Sequence, residues 1–447
     1  MSDTFTTESV IELQTHNNET SQSNWQASTA PSDPDSIIEQ SRAADATVPE
    51  GGYGWVVLFG CGVITFWFVG TTYCWGVIQG ALVKEGLASP STLAFVGSLT
   101  VAFIAILAIP SARVVRALGA RNTGLLAISC LAAGELLSGF TTKSVGGLFV
   151  TAGIVMGVGV SMAYMVVSAT PAQYFSRRRG LANGIVFACG GIGGAVISFA
   201  MDGLLQKLGP AWTFRVIGFV TLATGLPAAW LVKERTPIRN RALIDRYLFR
   251  DIKFLVLFIT GAIGTFPLFV PPFFLPLYSA SLGMSASTGA GLVAGFNFSS
   301  AIGRIGFGFV SDMIGPLNSL FIALLLSALS MLALWPVSSS LGPLIAFVII
   351  NGAANGGFFS LTPTVVASLF GSARVSVAMG MIVTGWTGGY LLGAPIAGYI
   401  LNAYGGQSAG FEAYRPAIYY AGSMALGAAA LAGFVRLRVS RRLLKKA

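Results

Sequence analysis

Residues Thr170–Gly194 read TPAQYFSRRRGLANGIVFACGGIGG, and the fold is decided in this stretch. Tyr174 and Phe175 lead into three consecutive arginines, Arg177, Arg178 and Arg179, and an apolar run follows. Placing an arginine at the centre of a bilayer costs at least about 2.5–3.5 kcal/mol, so the triplet marks a helix mouth held on the cytoplasmic side. Beyond it, Ala182, Gly184, Ala188, Gly190, Gly191, Gly193 and Gly194 remove the bulk that keeps membrane helices apart. The stretch predicts a corner between two spanning helices, anchored by charge at one end and closely packed at the other.

Of the 447 residues, 54% are hydrophobic and only 10% charged, where a soluble domain carries about 25% charged residues. The apolar residues fall in blocks of roughly 20 or more, enough for helices to cross the hydrocarbon core. Alternating segments of about ten residues, the mark of a membrane β-barrel, do not occur. The net charge of +10 is uneven, since residues 1–50 hold nine acids and one base, Arg42. The basic remainder sits between apolar blocks, where membrane topology accounts for it, so nucleic acid is not an expected partner. The four cysteines are scattered through apolar segments, and the single histidine, His16, lies in the polar tail. With no metal-ligand spacing, phosphate-cradling loop or catalytic constellation, no metal, cofactor or enzyme activity is expected.

The hydropathy pattern predicts an all-α membrane protein of twelve transmembrane helices: 53–82, 93–113, 122–141, 145–169, 180–201, 213–232, 253–279, 286–311, 317–335, 343–368, 376–402 and 414–437. Both termini then share one side, and twenty basic residues fall there against five on the other. That imbalance predicts cytoplasmic termini. The polar, acidic segment 1–49 has little to bury and is expected to be a disordered cytoplasmic tail. A repeat organises the rest. Ser168-Ala169-Thr170-Pro171 recurs as Ser360-Leu361-Thr362-Pro363, and Ala182-x-Gly184 as Ala378-x-Gly380. Two pseudo-symmetric six-helix bundles are expected, 50–232 and 253–437, joined by a basic cytoplasmic linker, 233–252, and followed by a basic tail, 438–447. Such repeats place a substrate site at their interface near the bilayer midplane.

Glu50-Gly51-Gly52-Tyr53-Gly54-Trp55 and Tyr174-Phe175-x-Arg177-Arg178-Arg179-x-Leu181-Ala182-x-Gly184 resemble the two signature motifs of the monocarboxylate porter family within the major facilitator superfamily, in a fungal-type member. Gly308-x-x-x-Asp312-x-x-Gly315 and Gly393-Ala394-Pro395-Ile396-Ala397-Gly398 are similar to general superfamily elements. The resemblance covers about residues 50–437 and implies the major facilitator fold and transport by alternating access. It also implies that Arg177, Arg178, Arg179, Asp312 and Arg374 form cytoplasmic corners or gates. Family members that move lactate-like acids with protons carry a first-helix lysine and, in the eighth helix, an acid four residues before an arginine. Here Arg304 fits the arginine position, Ser300 replaces the acid, and Val56–Leu82 holds no lysine.

Arg304 is thus the leading substrate-binding candidate, because an intramembrane guanidinium facing a wet cavity can hold a carboxylate with two hydrogen bonds. Asn297, Ser300, Tyr73, Tyr164, Asn355, Trp386 and Tyr390 join it as polar or aromatic positions on helices expected to line the cavity. Thr72, Gln79, Asn183, Asn351 and Phe358 are further positions of the same kind. Glu135, the other internal charge, is a candidate proton site. The expected function is secondary active or facilitative transport of small organic acids, with proton coupling open. An exporter of a hydrophobic secondary metabolite and a non-transporting nutrient sensor are the alternatives. The expected location is the plasma membrane, or else a vacuolar or other internal membrane.

Overall fold

The structure, a computed structural model, describes residue 48 and residues 50–88, 90–235, 246–371, 375–406 and 410–439. Nearly all of the acidic tail, the middle of the basic linker, Arg374, the side chain of Gln79 and the C-terminal basic residues from 440 onward lie outside the described residues.

The chain is helical throughout, with no strand among the described residues. In order, the helices are α1 (Tyr53–Tyr73), α2 (Trp75–Lys84), α3 (Pro90–Ile106), α4 (Ala108–Thr141), α5 (Val145–Gln173), α6 (Arg179–Leu231), α7 (Ile252–Gly264), α8 (Val270–Ser281), α9 (Ala286–Ile314), α10 (Pro316–Val337), α11 (Leu341–Phe370), α12 (Val375–Thr384), α13 (Thr387–Ala403) and α14 (Phe411–Val439). Nine helices among the described residues are long and apolar enough to cross a membrane, by length and composition. Phe140, Phe199 and Tyr399 point outward and are more than 70% exposed, as side chains facing lipid rather than water would be.

Four of the expected continuous spans are broken. Cys74 parts α1 from α2, Leu107 parts α3 from α4, Thr265–Phe269 parts α7 from α8, and Gly385–Trp386 parts α12 from α13. Pro267 accounts for one break, since it supplies no N–H to the helical ladder, and Gly385 lowers the cost of another. Elsewhere expected spans run on as one element in two places: α4 joins the end of the second expected span to the third through a non-helical Gly119 (φ 81°), and α6 joins the fifth to the sixth. At Gly209 (φ 74°) α6 reverses through a left-handed glycine, and Pro210 restarts the helix. Gly315 (φ 101°) and Pro316 do the same between α9 and α10.

The repeat seen in the sequence reappears as a repeated contact. Gly184 on α6 seats against the Arg304 backbone of α9, and its counterpart Gly380 on α12 seats against Ala112 and Ala108 of α4. At Gly184 any Cβ would overlap the Arg304 carbonyl oxygen, so only glycine permits that approach.

Both described chain ends meet at one end of the helix array. A Glu50 carboxylate oxygen accepts from the backbone N–H groups of Ser176 and Arg177. Arg436 Nε donates to Asn318 Oδ1 at 2.7 Å, just past the α9–α10 turn. This is also where Thr170–Gly180 turns the chain from α5 to α6, and it is termed the corner end below.

Candidate functional site

At the corner end, α6 begins with backbone N–H groups that no preceding turn can satisfy. Asp312, near the end of α9, supplies both acceptors: Gly180 N donates to Oδ1 at 2.8 Å and Leu181 N to Oδ2 at 2.9 Å. The carboxylate also sits at the positive pole of the α6 dipole. Arg179 is buried and turned back, donating to the carbonyls of Phe175 and Ala172. Arg177 and Arg178 are exposed. The arginine triplet thus divides into one residue that braces the turn and two that face outward.

Deeper in the array a cavity of about 40 Å³ is lined by Thr72 and Tyr73 of α1, Tyr164 of α5, Phe187 of α6, Arg304 of α9 and Tyr390 of α13, among others. Arg304 is only 2% exposed. Its Nη1 donates to the Phe187 carbonyl at 2.7 Å, and its Nη2 to the Tyr73 hydroxyl at 3.2 Å. The guanidinium carbon stands 5.5 Å from the centre of the Phe359 ring, a cation–π distance. Its Nε has no acceptor, and among the described residues no acid forms an ion pair with it. Backbone, hydroxyl and ring thus hold a cation that lacks a counter-charge.

An aromatic shell continues outward. Tyr164 lies 6.0 Å from both Phe187 and Trp386, and Tyr390 is 5.6 Å from Phe269 and 6.0 Å from Trp386. The four helix breaks fall at this level. Tyr73 precedes the Cys74 break, Ile104 stands just before Leu107, Phe269 closes the α7–α8 break, and Tyr390 follows Trp386 by one turn. Helix interruptions are where a helix can kink, and four of them surround the cavity.

Of the candidates, Tyr73, Tyr164, Tyr390, Thr72 and Arg304 line the cavity together, with Trp386 packed behind. The others are used elsewhere. Asn355 donates to the Leu268 carbonyl at 2.9 Å, Asn351 to Ser330 Oγ at 2.8 Å, and Asn183 to Thr364 Oγ1 at 2.8 Å. Asn297 and Ser300 lie in the tight α9 contacts with Gly191 and Gly356. Glu135 is buried between α4 and α6, facing the Thr221 hydroxyl outside hydrogen-bonding geometry and away from the cavity lining. The cavity is smaller than a substrate site requires. About 40 Å³ admits little more than a few water molecules, whereas ligand pockets run to about 300–1,000 Å³.

The apolar lining residues Phe68, Val101, Ile104, Phe187, Phe269 and Phe359 escaped the polar-residue search. Phe269 carried a signal, since it lies between Pro267 and the Pro271-Pro272 pair in a run that must interrupt a helix.

A polytopic helical array with a buried cationic cavity ringed by helix breaks belongs to a class of membrane transporters rather than enzymes. The sequence profile of the Major Facilitator Superfamily matches residues 58–340 and 257–447, and the chain belongs to that superfamily. It is a multi-pass integral membrane protein. It is 28% identical over 378 residues to the aspyridones efflux protein apdF of Emericella nidulans, covering 83% of this chain and 77% of that protein. Monocarboxylate transporter 10 of Danio rerio is 28% identical over 400 residues, with 83% of this chain and 77% of that protein covered. The human organic anion transporter MFSD10 (TETRAN) superposes with a TM-score of 0.65 at 15% identity, covering 86% of this chain and 99% of that one. That last likeness concerns the fold alone.

Proposed function

We propose that this transporter exports an organic acid with a large apolar body by alternating access, and that Arg304 holds the acid group. The observation that carries the reading is the Arg304 guanidinium, buried in an aromatic cavity without a counter-ion. A carboxylate arriving there would gain charge-assisted hydrogen bonds, each worth about 1.5–3 kcal/mol, while the rings pack on its apolar part. Export rather than uptake follows the efflux relative, and the acid group follows the monocarboxylate one.

The twelve spans are read as two six-helix bundles, 50–232 and 253–437: α1–α2, α7–α8 and α12–α13 each make one span, α3 makes one with the limb of α4 before Gly119, the rest of α4 makes another, and the two limbs of α6 count separately. The corner end is read as cytoplasmic because the basic residues collect there. Asp312 on the α6 N-terminus and Gly184 against α9 support reading this as the state closed on that side. Opening requires α6 and α9 to part, which frees the Phe187 carbonyl from Arg304. The plasma membrane is the proposed location.

Flux of labelled monocarboxylates and larger lipophilic acids in proteoliposomes, with and without a pH gradient, tests the reading in wild type and Arg304→Gln. Saturable acid flux that the substitution lowers about 100-fold is expected. Equal flux by both proteins would sink the acid-binding role.

A second reading, export of a neutral hydrophobic metabolite, is favoured by the Arg304 bond to the Phe187 carbonyl, which already gives the cation a structural use. Retention of such metabolites and toxin sensitivity in a deletion strain distinguish it.

A further inference from the structure

A second cavity, about 500 Å³, opens on the outer face of the molecule between α1 and the two limbs of α6. Trp55, Phe59, Phe66, Ile185, Cys189 and Thr224 are among its walls. It is separate from the Arg304 cavity, for α1 turns Phe68, Thr72 and Tyr73 inward and Trp55, Phe59 and Phe66 outward. Two of the polar groups in its walls are already used. Trp67 Nε1 donates to Thr224 Oγ1 at 2.7 Å, and Thr224 donates to the Val220 carbonyl at 2.8 Å. The groove therefore offers mainly apolar contact.

Its length and mouth select the occupant. From Trp55 to Trp67 the groove follows α1 for about 18 Å at 1.5 Å per residue, close to the roughly 15 Å depth of one leaflet's hydrocarbon. Its outer end lies at the corner end. There the Trp55 ring meets Phe175 edge-on at 5.0 Å, two residues before Arg177, and Tyr53 donates to the Leu231 carbonyl at 2.9 Å, two residues before Lys233. Arg177, Arg178 and Lys233 are exposed at this same corner end, with no ion pair among the described residues. Two acids lie near them: Glu50 Oε1 accepts from Ser176 and Arg177 N–H while its Oε2 has no partner, and Glu234 accepts from Ala120 N at 2.9 Å, so the three cations outnumber the nearby carboxylates.

We propose that the groove binds one anionic phospholipid, an acyl chain lying along α1 and the headgroup phosphate against Arg177, Arg178 and Lys233. A neutral apolar molecule would use the walls but leave the three cations unanswered. The assignment to the cytoplasmic leaflet, where anionic lipids concentrate, rests on the orientation proposed above.

The purified full chain, washed in detergent and exchanged into micelles of equal phosphatidylserine and phosphatidylcholine, should retain about one phosphatidylserine per chain. The expected preference is at least about tenfold, counted by mass spectrometry after size exclusion. Val63→Trp, which fills the groove, should lower retention of both lipids at least about tenfold. Ile185→Phe fills it from the opposite wall and gives the same result if Val63→Trp misfolds. Lys233→Gln combined with Arg177→Gln and Arg178→Gln should abolish the preference and keep a bound lipid. Equal retention of the two lipids by wild type overturns the headgroup assignment. Unchanged retention in both groove-filling variants overturns the site, as does full displacement by soluble glycerophosphoserine, which has a headgroup and no chain. A protease-cleavable C-terminal tag in sealed cells tests orientation separately, so an external tag with selective lipid retention would overturn the leaflet and not the groove.

Discussion

Arg304 and Glu135 are both ionisable, both sit within helices, and are 2% and 1% exposed, yet their surroundings differ in kind. Arg304 has a carbonyl, a hydroxyl and an aromatic face, and it borders a cavity where broken helices meet. Glu135 has no hydrogen-bond partner, borders no described cavity, and lies where α4 packs on the second limb of α6. Burial is common to the two and so identifies neither. What separates them is polar support combined with adjacency to space that can open.

Substitutions can break or sharpen this contrast. The largest effect is expected from Arg304→Gln, about 100-fold in flux at sub-saturating acid, because the charge-assisted contacts vanish. Next is Gly184→Ala, whose methyl overlaps the Arg304 carbonyl. Overpacking of about 1–3 kcal/mol should shift the molecule toward opening at the corner end by about 5–150-fold. Alkylation of a Thr364→Cys reporter, buried beside Asn183, reads that shift, and an unchanged rate would disconnect the α6–α9 contact from gating.

Tyr73→Phe removes the 3.2 Å bond to Arg304. The hydroxyl only positions Arg304 and the bond is long, so an indirect loss of about 0.5–1.5 kcal/mol should raise half-saturation about 2–10-fold with maximal flux retained. Glu135→Gln is the smallest, with flux expected within about twofold of wild type and the response to a pH gradient intact. Loss of that response in proteoliposomes would erase the contrast, making Glu135 a proton site remote from the substrate.

The class of protein was legible because membrane insertion is decided by composition over some twenty residues at a time. The close α6–α9 contact was foreshadowed by glycines in the Thr170–Gly194 stretch, and Arg304 by its isolation in an apolar span. The membership of the site was less legible. Asn355, Asn351 and Asn183 match the lining residues in type and setting, but each is consumed by a neighbour that packing alone brings within reach. Sequence by itself determined that this is a helical membrane protein with an arginine buried in it, because hydrophobic transfer is nearly additive along a chain. Only the tertiary structure decided that Tyr73, Phe187 and Arg304 meet, that Glu135 stands apart, and that the cavity between them is small. Hydrogen bonds and close contacts depend on ångström-scale placement of residues distant in the chain, which a hydropathy pattern does not specify.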